Sequence, residues 1–183
     1  MTCIVGLKRD GRVWIAGDSL AVSGTFKNVR LDSKVFNVGE YVLGFTSSFR
    51  MGQILRYQAD LPPPMEQEMG DLDRFAVTQL IPRLRAAFHQ NGMMGKNEIG
   101  QDQVGQFLIG FRDRLWCVES DFQVSVPADS YYCIGSGAHI ATGAMEVLTA
   151  AQGTDPEKVV ESAIMVAAKF NCGVGGPAVV VST

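Results

Sequence analysis

The chain is poor in the side chains that most often carry chemistry. It has two histidines, His89 and His139, in 183 residues, so a Ser-His-Asp triad has little material to draw on. Its four cysteines, Cys3, Cys117, Cys133 and Cys172, are scattered, with no C-x-x-C pair. That argues against a zinc site or a disulfide framework and for reduced thiols used as small apolar residues. No apolar run approaches the roughly 18 residues of a membrane span. The first apolar run is too short and too glycine-punctuated for a signal peptide. Lys and Arg number 16 against 19 Asp and Glu, a formal net charge of −3. Neither a nucleic-acid-binding face nor a membrane-binding one is implied by so even a balance. The expected location is the cytoplasm, and neither a metal nor a cofactor is assigned.

What the chain has is apolar content, 46% over 183 residues. That is enough for one domain, residues 1–183, with a sizeable core. It also has an unusual start, Met1-Thr2-Cys3-Ile4-Val5. A small second residue permits removal of the initiator methionine. The mature chain would then begin at Thr2 and carry an α-amine and a hydroxyl on one residue. An α-amine has a pKa of about 7.7–8, so near neutral pH it can take the hydroxyl proton as the oxygen attacks a carbonyl.

The pattern beyond this start alternates strand groups with helix pairs. Residues 2–9 and 13–17 read as a hairpin around Asp10-Gly11. A two-residue loop and a three-residue loop are both possible. The three-residue loop is preferred because it sets Val5 against Ile15 and Thr2 against Asp18. Residues 20–24 continue and bend away, and 25–33 read as an exposed polar loop. Residues 34–38 and 41–45 form a second hairpin around Gly39-Glu40, with Lys34 opposite Phe45 and Ser33 opposite Thr46. Both hairpins therefore hold polar residues at their open ends, which can converge if the strands share a sheet. Helices are expected at 49–59 and 71–90, with Pro82 a kink or a late start. The stiff segment Leu61-Pro62-Pro63-Pro64 lies between them. Residues 91–103 read as a mobile loop. Strands follow at 106–111 and 115–119, across Arg112-Asp113-Arg114, then at 122–126 and 131–134. Helices are expected at 138–152 and from Asp155-Pro156 to about Phe170, and a closing strand at 177–182. This order is not the alternating βαβα of a doubly wound fold. It points to antiparallel sheets with helix pairs packed outside.

In this layout the chain resembles the proteasome β-type peptidases of the N-terminal-nucleophile hydrolases, above all the short bacterial members that work with an ATP-driven unfoldase. The resemblance is carried by Thr2-x-Ile4-Val5-Gly6 and by Val13-x-Ile15-Ala16-Gly17-Asp18-Ser19. It continues in Asp32-Ser33-Lys34-Val35 and Tyr41-Val42-Leu43-Gly44-Phe45, then in Ile134-Gly135-Ser136-Gly137 and the tail Gly175-Gly176-Pro177-Ala178-Val179-Val180. It covers nearly the whole chain.

The resemblance implies an α+β fold, a four-layer αββα sandwich, and a threonine endopeptidase. Thr2 is its implied nucleophile, Lys34 the ammonium beside the Thr2 hydroxyl, and Asp18 the ion-pair partner of Lys34. Ser136 bonds the α-amine, and the Ser47 backbone N–H is the oxyanion donor. Ser33 and Asn171 support the site. Phe45, Ala21, Asp32 and Thr46 line the pocket for the substrate side chain, which favours cleavage after apolar residues. The implied assembly is a ring of six or seven copies, stacked in pairs and fed unfolded protein by an ATP-dependent unfoldase. The chain also departs from the pattern. Thr46-Ser47-Ser48 replaces a glycine pair, and a β-carbon at Ser47 is expected to require a negative φ. Asn171 and Val174 stand where the family has Asp and Ser. Two other functions remain open on the same fold: a shell or assembly protein with little peptidase activity, and a small-molecule amidase.

Overall fold

The first turn determines how the N-terminal hairpin pairs. Asp10 and Gly11 both take positive φ, 52° and 73°, the two-residue geometry whose twist matches that of the flanking strands. In the computed structural model, which describes residues 1–96, 98, 100, 102–151 and 153–183, β1 (Ile4–Arg9) and β2 (Arg12–Gly17) therefore pair Val5 with Ala16 and Leu7 with Trp14. The three-residue loop is not formed, and Asp18 lies opposite Cys3 rather than Thr2, its N–H donating to the Cys3 carbonyl at 3.2 Å. β1 is buried on both faces: Cys3, Val5 and Leu7 face one cluster and Ile4 the other. Cross-strand apolarity is then satisfied in either register and cannot choose between them.

Four further strands complete the first half. β3 (Leu20–Ser23), within the expected continuation, pairs with β4 (Phe26–Val29), which forms a strand where an exposed loop was expected. β5 (Val35–Val38) and β6 (Tyr41–Phe45) pair Val35 with Gly44, as their Gly39-Glu40 turn predicts. Helix α1 (Phe49–Tyr57) starts at Ser48, whose side chain accepts from the Arg50 N–H. A 3₁₀ turn, Glu66–Glu68, leads into α2 (Leu72–Phe75). The chain widens into a π-helical segment, Ala76–Leu80, before α3 (Ile81–Gln90). The cause is Pro82, which has no N–H to give the preceding turn and whose ring needs room there.

The short pair β7 (Gly95–Lys96) and β8 (Asp102–Gln103) lies in the expected 91–103 loop. Positions 97, 99 and 101 of that loop, and position 152 at the end of the expected 138–152 helix, fall outside the described residues. β9 (Phe107–Phe111) and β10 (Arg114–Val118) close on a two-residue loop, Arg112-Asp113, one residue shorter than expected. β11 (Val124–Ser125) and β12 (Tyr131–Ile134) follow. Then come α4 (Ala138–Ala150), α5 (Pro156–Phe170) and β13 (Val179–Ser182).

One sheet runs β12-β1-β2-β13 and the other β11-β10-β9-β6-β5. Ile4, Val13, Ile15, Val35, Val42 and Leu108 fill the space between them. α4 and α5 cover the first sheet, with Val159, Val160, Ala163, Ile164 and Ala167 forming one helical stripe against it. α1 to α3 cover the second sheet through Leu55, Phe75, Leu84 and Phe88. The molecule is thus an αββα sandwich. The two sheets pack tightly beside the open ends of the first two hairpins. A β-carbon at Gly44 would come within 2.6 Å of Ile4, and one at Gly17 within 2.8 Å of Val35. Residues without side chains at these two places let Asp18, from one sheet, meet Lys34, from the other.

Candidate active site

Lys34 enters the sheet interface just before β5, and Asp18 follows the last residue of β2. Lys34 Nζ lies 2.8 Å from Asp18 Oδ1, and both side chains are almost wholly removed from solvent, at 2% and 0% exposure. A buried ion pair needs its remaining hydrogen-bonding capacity filled, and here it is. Lys34 also donates to the Leu20 carbonyl at 2.7 Å. Asp18 accepts from the backbone N–H groups of Cys3 at 2.9 Å, Leu20 at 3.2 Å and Gly175 at 3.3 Å. Burial pushes the Lys34 ammonium below its ordinary pKa, while the negative charge of Asp18 pulls in the other direction. The remaining reach of Nζ is toward the chain start, 3.5 Å from the Met1 carbonyl oxygen.

Thr2 is aimed at the same point. Its hydroxyl donates to that Met1 carbonyl at 2.6 Å. Its backbone N–H donates to Ser136 Oγ at 3.1 Å, and its carbonyl accepts from the Gly137 N–H at 3.1 Å. Gly135, with φ of 94°, passes directly against the Thr2 carbonyl, where a β-carbon would collide. Asn171 does not reach the Thr2 nitrogen. Its amide donates to the Ser136 carbonyl at 2.7 Å and its oxygen accepts from the Gly173 N–H at 2.9 Å, so it braces the Ser136 turn. Val174 is buried in the cluster under α5, beside Cys3.

Ser47 overturns the expectation of negative φ: it sits at φ 70°. The reason lies next door, where Thr46 is held through both its N–H and its hydroxyl to the Gln106 carbonyl, at 3.0 and 2.8 Å. That clamp and the start of α1 leave Ser47 to absorb the reversal of chain direction. A left-handed conformation costs a residue with a β-carbon about 1–2 kcal/mol. Ser47→Gly is therefore expected to raise stability by about 1 kcal/mol, roughly 2–4 °C in melting temperature for a chain of this size. Thermal unfolding of the two chains checks this, and a lower melting temperature for the variant would refute the strain.

Thr2, Lys34, Ala21, Phe45 and Ser47 line one cleft of about 330 Å³. Of the other residues expected there, Asp32 lines an adjoining cavity and pairs with Arg30. Thr46 is turned to Gln106. The Ser33 hydroxyl accepts from the Val35 N–H, and its carbonyl accepts from Arg56. The cleft instead has Arg30, Phe49 and the hairpin residues Val22, Ser23, Phe26 and Asn28 on its walls, none of them singled out from the sequence. The Gly24-Thr25 pair, with Gly24 at φ 58°, is the turn signal that could have located that hairpin. A larger cleft, about 730 Å³, runs beside α3 past His89, Arg85 and Phe122, but no Ser, Thr or Cys lines it.

No family model matches the chain, and no curated protein matches its sequence. Solved structures do. BPH of Thiobacillus denitrificans is similar over 99% of this chain and 97% of that one, with a TM-score of 0.81 and 23% identity. The same protein in complex with epoxomicin gives a TM-score of 0.77 and 22% identity over the same shares. Eukaryotic HslV from Trypanosoma brucei gives 0.70 and 17%, over 98% of each chain. At these identities the likeness is one of architecture, and it leaves almost no residue outside it: the chain shares the αββα sandwich fold of these proteins from end to end.

Proposed function

We propose that the chain is a threonine-type endopeptidase subunit of a self-compartmentalised ring protease, with Thr2 as its nucleophile once Met1 is removed. The observation that carries this is the convergence at the chain start. A buried, paired ammonium and the Thr2 hydroxyl both point at one carbonyl oxygen. A protein of the same fold described in complex with epoxomicin adds support.

In this reading Thr2 Oγ1 attacks the substrate carbonyl carbon and its proton passes to the Thr2 α-amine. The Lys34 ammonium stabilises the negative charge that develops on Oγ1. The oxyanion is held by the Ser47 N–H, which has no acceptor among the described residues. A donor so placed is commonly worth about 3–4 kcal/mol to the transition state. The amine then protonates the leaving nitrogen and the C–N bond breaks, leaving an ester on Thr2. Water, giving its proton to the same amine, hydrolyses the ester and restores the site. Ser136 orients the amine, and Asn171 orients Ser136. Copies of the chain form a ring of six or seven, stacked in pairs, which keeps these sites away from folded proteins. An ATP-dependent unfoldase supplies unfolded chains.

Intact-mass measurement after incubation with epoxomicin tests the assignment. The expected result is a chain lacking one methionine and carrying one adduct on Thr2. A chain that keeps Met1 and takes no adduct would instead be a shell protein on this fold. The pH profile of kcat/KM gives an independent check. Activity should rise as the amine loses its proton, with the acid limb at or below about 7.7–8, because a neighbouring positive charge disfavours protonation. It should fall again as Lys34 is neutralised, and burial places that alkaline limb below the ordinary lysine value. A profile flat across that range would remove both groups from the mechanism.

A further inference from the structure

The cleft beside Thr2 and the smaller cavity next to it share two wall residues, Phe45 and Phe49. The two spaces measure about 330 and 110 Å³. Their shared residues differ in freedom. Phe45 is 4% exposed, its ring fills the space that a side chain at Gly52 would need, and Phe36 packs beside it with ring centroids 6.2 Å apart. Phe49 is half-buried and opens α1, packed against the edge of the core without belonging to it. Its ring stands edge-on to Phe45, at 80° and 5.8 Å. The Arg30 guanidinium lies 4.0 Å from the Phe49 ring centroid. Arg30 is itself fixed by two hydrogen bonds to Asp32, at 2.7 and 2.5 Å. Asp32 thus orients Arg30, and Arg30 covers Phe49.

We infer that Phe49 is a partition that sets the depth of the substrate side-chain pocket, held closed by the Arg30–Asp32 pair. This rests on the peptidase reading and deepens it. The substrates it selects are peptides with a small or medium apolar residue on the acyl side of the broken bond. Large aromatic residues at that position are excluded because the space they need lies behind the Phe49 ring. A planar guanidinium over an aromatic face is attracted to it and resists its rotation. Arg30 and Asp32 therefore act on the depth of the pocket as positioning residues, through Phe49, although Arg30 also borders the cleft.

The test is a matched pair of peptides that differ only at the residue before the cleaved bond, alanine or phenylalanine. Phe49→Ala should raise kcat/KM for the phenylalanine peptide relative to the alanine peptide at least tenfold. Arg30→Gln should move the ratio the same way by about threefold, a change in preference that a merely structural role would not produce. Phe49→Leu serves if Phe49→Ala does not fold. A parallel measurement uses Thr2→Ala chains, which cannot react, and reads calorimetric binding of the corresponding peptide alcohols. If the native chain hydrolyses neither peptide but the binding preference still switches, the partition stands and the peptidase reading falls. A ratio unchanged within twofold in folded Phe49 variants, in both measurements, overturns the partition.

Discussion

Lys34→Ala leaves the Asp18 carboxylate buried without a counter-charge, and the expected loss of stability is about 3–5 kcal/mol. The three backbone N–H groups of Cys3, Leu20 and Gly175 still bond it, which holds the loss toward the lower figure. Activity should fall by about 10²–10³-fold, the scale on which a fixed charge or donor at developing negative charge is missed. The two effects have separate causes and can be separated. Adding Asp18→Asn to Lys34→Ala removes the unpaired charge and should recover more than half of the lost stability. It should recover none of the activity, because no ammonium returns to Thr2. Chemical denaturation and peptide hydrolysis on the native chain, Lys34→Ala and the double variant read both. If the double variant regained activity together with stability, Lys34 would be a structural residue only.

Thr2→Ala has the larger effect on catalysis and almost none on the fold. Produced without Met1, the variant keeps its α-amine, its Ser136 contact and every backbone bond of the native start, and loses one hydroxyl and one methyl. Hydrolysis should drop to the uncatalysed background, and epoxomicin should leave the mass unchanged. Stability should change by no more than about 1 kcal/mol, the usual scale of a single small substitution. Full peptidase activity in Thr2→Ala would end the proposed mechanism, whatever the state of Lys34.

Much of the layout of the candidate site is legible in the sequence. The Gly39-Glu40 turn set the second hairpin in its true register, so the placement of Lys34 opposite Phe45 followed from counting. The first hairpin was harder. Its strands are apolar on both faces, and a one-residue slip changes nothing in cross-strand apolarity. Asp18 was therefore set against Thr2 instead of Cys3. Either register leaves Asp18 within reach of Lys34, because the ion pair forms between sheets and not along one.

The second strand hairpin, Leu20–Ser23 with Phe26–Val29, was missed for a different reason. Every residue of Phe26–Val29 is exposed, so it has no buried face and no alternation to show. The wall that Val22, Ser23, Phe26 and Asn28 give the cleft has no periodic signal in the sequence as a result. Ser47 is the plainest case of tertiary context overriding a local rule. A serine avoids positive φ unless its neighbours leave it no other path, and the two hydrogen bonds from Thr46 go to the carbonyl of Gln106, sixty residues away.

Local order along the chain was enough to establish the succession of strands and helices, the unusual first two residues, and the carboxylate and ammonium waiting at open hairpin ends. Turn dipeptides and apolar periodicity act over a few residues, so a linear reading captures them. The meeting of those ends depended on packing across the sandwich. Ile4 seats against two residues without side chains, Gly17 and Gly44, and brings one sheet close enough for Lys34 to reach Asp18 and face Thr2. Contacts between separate sheets depend on side-chain volume and strand twist in three dimensions, and no spacing within the chain encodes them on its own.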